Sequence, residues 1–141
     1  MKKAGKIRFD MDELSDISNE IIEVNKDCYT KQTSIHQGSL RFPIPIPIKL
    51  ELDLKAGDKV YFVKYSEGYY LSFKVKPDST TKDLMRERTL ASAGQYDTLY
   101  LVIPPFIKKL FRTPITNVQL IRTKGFQSYE WQIQFLSIDS I

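Results

Sequence analysis

The residues able to do chemistry are few. His36 is the single histidine and Cys28 the single cysteine. No two-histidine metal site is available, and Cys28 with His36 falls short of a zinc ligand set. A nucleophilic thiol needs a base beside it, and the sequence places none next to Cys28. The six glycines are dispersed as turn residues rather than gathered into a phosphate-cradling loop. No pair of carboxylates stands apart from the general run of acids as a hydrolase pair would. The chain therefore reads as a non-enzymatic protein with no metal and no cofactor.

The side chains left to act are cations. Lys31, Arg41, Lys49 and Lys55 fall in one stretch, Lys108, Lys109 and Arg112 in another, with Arg86 and Arg88 between them. Lys2, Lys3, Lys6 and Arg8 form a basic arm at the start. Lysine and arginine held on a rigid sheet neutralise phosphates and make binding salt-dependent. The competing reading is solubility, because 21 basic residues face 17 acidic ones for a net charge of only +4. Tyr61, Tyr65, Tyr69, Tyr70, Tyr129 and Trp131 offer faces for stacking bases, but such residues more often fill a small core.

The elements that must position these cations follow from charge and repetition. Residues 1–8 carry +4, residues 9–27 carry −6 and the remainder +6, so a basic body follows an acidic collar. Residues 11–22 suit a short helix with Asp10 as N-cap and Leu14, Ile17 and Ile21 at helical spacing. Beyond them the chain repeats itself. Gly38, Pro45, Val60 and Gly68 are matched by Gly94, Pro104, Val118 and Gly125, at offsets of 56, 59, 58 and 57 residues. The implied division is an arm and collar (1–28), a first unit (29–75), a linker (76–93) and a second unit (94–141).

Each unit has the same local logic. An extended stretch leads to Ile-Pro, where proline ends ladder pairing and suits a helix start. A compact segment follows, then a turn, then a β-hairpin: 60–65 with 69–75, and 118–122 with 129–135. Valine, isoleucine, tyrosine and phenylalanine dominate these runs, as half-buried sheets require. In the first unit Ile48, Leu50, Leu52 and Leu54 alternate with charged residues, which is strand periodicity. The second unit, with Ile107, Leu110 and Phe111 at helical spacing, is the better helix candidate.

The run from Ile44-Pro45 to Val60 resembles the AbrB/SpoVT/MazE-type swapped-hairpin DNA-binding domain. Gly57-Asp58 begins twelve residues after Pro45 and Val60 lies fifteen after it. Leu52 and Leu54 take the pattern's two leucine positions, and Lys49 a position usually held by arginine. Ile103-Pro104, Ile107, Lys108, Pro114 and Val118 match more loosely, with Ile115-Thr116 where Gly-Asp belongs. The resemblance implies a mainly β fold with short helices, in which tandem β-hairpin units interlock into a swapped-hairpin, barrel-like body. It implies duplex DNA as partner and transcription regulation as role, and the basic residues offered by the sequence as phosphate contacts are Lys31, Arg41, Lys49, Lys55, Lys108, Lys109 and Arg112, with Arg86 and Arg88 in the linker.

Two units in one chain leave open pairing within the chain, as a pseudo-dimer, or exchange between chains, as a homodimer. The alternative function is a protein-interaction module, antitoxin-like or scaffolding, without DNA affinity and with a partner at the acidic N-terminal segment. No stretch approaches the length of apolar sequence that a membrane span needs, and none follows the basic N-terminus as in a signal peptide. The expected location is cytoplasmic.

Overall fold

The computed structural model describes residues 27–78, 84–93, 96–124 and 129–137. The basic arm and the helix expected over 11–22 lie outside these residues. The described residues form ten strands and two short helices, in order: β1 (Cys28–Gln32), β2 (Ser34–His36), β3 (Ser39–Pro43), α1 (Ile46–Glu51), β4 (Lys59–Tyr65), β5 (Gly68–Phe73), β6 (Met85–Thr89), β7 (Ala91–Ala93), β8 (Tyr96–Val102), α2 (Pro105–Lys108), β9 (Ile115–Arg122) and β10 (Glu130–Ser137). The fold is mainly β. All strand pairs are antiparallel, in a six-stranded sheet ordered β1-β9-β10-β5-β4-β6 and a four-stranded sheet ordered β2-β3-β8-β7. The two sheets do not close into the barrel-like body expected.

Exchanging the strands of the first half (28–73) with those of the second (85–137) maps each sheet order onto itself reversed. The halves are also threaded through each other: β1 pairs with β9, and β6 with β4. Reciprocal backbone bonds mark the same exchange. Ile44 N–H donates to Leu99 O and Ile103 N–H to Leu40 O, both at 2.8 Å. Thr33 N–H donates to Thr116 O and Leu90 N–H to Asp58 O, both at 2.9 Å. Phe42 faces Leu101 at the centre of the β3–β8 ladder, and both are fully buried.

Period-2 patterning explains the layers. Along β10, Trp131, Ile133 and Phe135 are buried while Gln132 and Gln134 are not. Their buried face, with Val60, Phe62, Leu71, Phe73, Val118 and Leu120, joins Leu40, Phe42, Leu99 and Leu101 of the smaller sheet in one core. Ile48 of α1 and Ile107 of α2 plug into it.

Two expectations change. The span 76–93, read as a linker, carries β6 and β7, which complete the edges of the two sheets. Met85-Arg86-Glu87-Arg88-Thr89 lacks an apolar alternation, and its place is fixed by pairing with β4 rather than by burial. The second change is that the first half, not the second, makes the longer helix. Pro45 at the N-cap and Pro47 just inside it preset helical φ. Ile48 and Leu52, four apart, form the buried face, while Leu50 is 61% exposed. Leu54 is buried because the chain has already reversed. Asp53 takes a left-handed φ of 52°, its N–H bonds Leu50 O, and Leu54 N–H bonds Lys49 O at 3.0 Å. This is a Schellman ending, which turns a helical and a post-helical leucine into apparent strand alternation.

Candidate nucleic-acid interface

The nine cations proposed from sequence separate by what already engages them. Arg41 lies on the outer face of β3, with its guanidinium 3.9 Å from the Tyr100 ring centroid. Its Nε is buried without a hydrogen-bond partner among the described residues. Lys49 donates from Nζ to the Asp97 carbonyl. Lys55 is paired with Asp53 at 3.0 Å, an exposed contact that lowers the Asp53 carboxyl through its hydrogen bond. Arg86 covers the Phe106 ring at 4.9 Å and donates to Met85 O, and Arg88 donates to Glu87 O. Lys31 sits half-buried on β1, opposite Val118.

Lys108, Lys109 and Arg112 are different. All three are exposed on α2 and its exit, and among the described residues none of their side chains has an ion pair or hydrogen bond. The short α2 is pinned by Pro104 and Pro105 at its start and by buried Ile107, so the cations ride on an anchored turn. Lys2, Lys3, Lys6 and Arg8 lie outside the described residues.

Most of the aromatic residues are buried or packed rather than open as a stacking surface. Trp131 is fully buried with Tyr29 against it, and Tyr61 and Tyr70 are buried. Tyr69 is packed by Phe106 and Phe135, and burial raises its hydroxyl above the usual value. Tyr129 alone of the six is exposed. Among the described residues no group of three or more histidine, cysteine, aspartate or glutamate side chains could hold a metal. No helix among them is long and apolar enough to cross a membrane.

Two features escaped the sequence reading because they depend on partners far away in sequence, not on which residues are equivalent. Lys49 and Lys108 occupy matching helix positions, yet the first is engaged with its neighbour and the second is not. Glu51 on α1 binds Arg122 through two contacts, at 2.9 and 3.1 Å, and Arg122 also covers Trp131 at 4.6 Å. The matching positions in the other half hold Leu110, 62% exposed, and Lys64, whose Nζ lies 5.1 Å from the Tyr69 ring. One end of the molecule is tied down by ion pairs while the other presents open cations and apolar side chains. Comparison with protein-family models, with curated proteins and with solved structures finds no match for this chain.

Proposed function

We propose that this protein binds duplex DNA, as a regulator of transcription, through the α2 end of the fold. The observation that carries the reading is the cluster of Lys108, Lys109 and Arg112, exposed and without acidic partners among the described residues. Three cations within five residues, on a turn anchored by buried Ile107, suit the spacing of backbone phosphates and cost little ordering entropy on binding. The resemblance of 44–60 to swapped-hairpin DNA-binding domains points the same way. Arg41, Lys31, Lys49, Lys55, Arg86 and Arg88 are flanking contacts at most, because several would first have to give up neighbours in the protein.

Fluorescence anisotropy on a labelled duplex across a salt series tests this. The triple variant Lys108→Glu, Lys109→Glu, Arg112→Glu should flatten the log–log salt slope by about 3, since each phosphate contact contributes about 0.9. Lys49→Glu should change it far less. An absence of wild-type binding at low salt would overturn the reading. It would favour the interaction-module alternative, which the exposure of Leu110 and Ile35 beside the same cations supports.

A further inference from the structure

Each half of the molecule has a cavity at the same place, between its helix exit and the lesser sheet, and the two have diverged in chemistry. The first-half cavity, about 380 Å³, is lined by Lys49, Asp53, Leu54, Lys55, Ser92, Asp97 and Leu99 among others. Its lysines are satisfied internally: Lys49 by the Asp97 carbonyl and Lys55 by Asp53. Its two carboxylates offset its two lysines, so the lining offers an anion no net positive charge. The second-half cavity, about 320 Å³, has Leu40, Phe111 and Ile115 as an apolar floor, Ile35 and Pro114 at its rim, Thr113, and Lys108 and Arg112 as cations.

The substitutions correspond position by position. Ile35 stands where Ser92 does, each beside the inward leucine of its hairpin, Leu40 or Leu99. Lys108 matches Lys49, and Arg112 matches Asp53, each pair 59 residues apart like the two Ile-Pro motifs. A polar lining whose two lysines are matched by two acids has become, among the described residues, an apolar one with two cations and no acid. Ile35 is 75% exposed over this cavity. A cavity of this size and make-up meets the usual form of a ligand site, with apolar walls and a few polar groups fixing orientation.

We infer that the second-half cavity binds a small amphiphilic anion, a monocarboxylate with an aliphatic body. The carboxylate accepts two N–H bonds from the planar fork of Arg112, with Lys108 as the second charge. The aliphatic body lies on Ile35, Leu40, Phe111 and Ile115. This inference shares Lys108 and Arg112 with the proposed DNA surface but does not rest on DNA binding, and its test contains no DNA.

The probe is octanoate, followed by amide NMR shifts on the full chain, with octanol at the same concentrations as the uncharged control. A ligand of ten non-hydrogen atoms in a half-open cavity is expected to bind in the millimolar range. Shifts should centre on residues 107–115 and on Ile35 and Leu40, and octanol should bind at least tenfold more weakly. Arg112→Asp and Ile35→Ser, which install the first-half residues at exposed positions, should each weaken octanoate at least fivefold while the remaining spectrum stays folded. Lys49→Ala should leave affinity unchanged. Equal binding of octanoate and octanol, shifts centred on the first-half cavity, indifference to Arg112→Asp, or no binding at 20 mM, about ten times the expected dissociation constant, would each overturn the proposal.

Discussion

The Glu51–Arg122 pair ties α1 to the end of β9 across 71 residues of sequence, and breaking it should cost measurable stability. The pair lies at the surface with its side chains partly covered, at 28% and 27% exposed. The two contacts, at 2.9 and 3.1 Å, have the two-point geometry that makes arginine–carboxylate pairs strong. An exposed pair would contribute about 0.2–1 kcal/mol, and hydrogen bonds to charged groups about 1.5–3 kcal/mol. The partial burial here places the coupling at about 1–2 kcal/mol. Arg122 further covers the buried Trp131, worth about another 0.5–1 kcal/mol, and the Glu51 hydrogen bond pushes its guanidinium, charged in any case, further up. Arg122→Ala should therefore cost more than Glu51→Ala. The assay is urea denaturation of wild type, both single variants and the double variant as a cycle. Because partly buried charges are screened less than surface ones, 1 M salt should leave more than half the coupling intact. A coupling energy below about 0.3 kcal/mol would refute the reasoning and make this an ordinary surface pair.

Two further outcomes follow from backbone and burial. The β2–β3 turn holds Gln37 at φ 52° and Gly38 at φ 82°, the sign pattern of a two-residue hairpin loop that favours Asn-Gly. Gln37→Asn should raise stability by a few tenths of a kcal/mol, while Gly38→Ala, which meets no neighbouring atom, should lower it by about 1–2 kcal/mol from backbone strain alone; equal denaturation midpoints for the two would contradict this. Tyr69 and Tyr70 are both raised from 10.0, chiefly by burial. The neutral phenols stabilise the fold fully below pH 10, and that contribution is lost as pH rises through their raised values. Urea midpoints at pH 8 and pH 11 should converge more closely for Tyr70→Phe than for wild type, and an identical pH dependence would remove the effect.

The sequence by itself determined the strand-rich class and the places where the chain turns. Alternating apolar residues in 118–122 and 129–135 have one way to bury a common face, and Pro45 and Pro104 end one ladder and start a turn of helix by local sterics alone. The cations of α2 were also legible, because a charge run beside Ile107 leaves them only the outer side of a short anchored helix. The helix of the first half was not, since its leucine spacing mimics a strand until Asp53 reverses the chain in a left-handed conformation. Nor were β6 and β7 readable in the supposed linker: Met85-Arg86-Glu87-Arg88-Thr89 has no apolar alternation, and only the free edge of β4 makes it a strand. Tertiary structure alone decided which cations are free. Lys49 and Lys108 follow identical local logic, but the Asp97 backbone carbonyl accepts from one, and among the described residues nothing pairs with the other. That difference arises from residues brought together across the exchanged halves, where long-range pairing rather than neighbouring sequence sets the electrostatics.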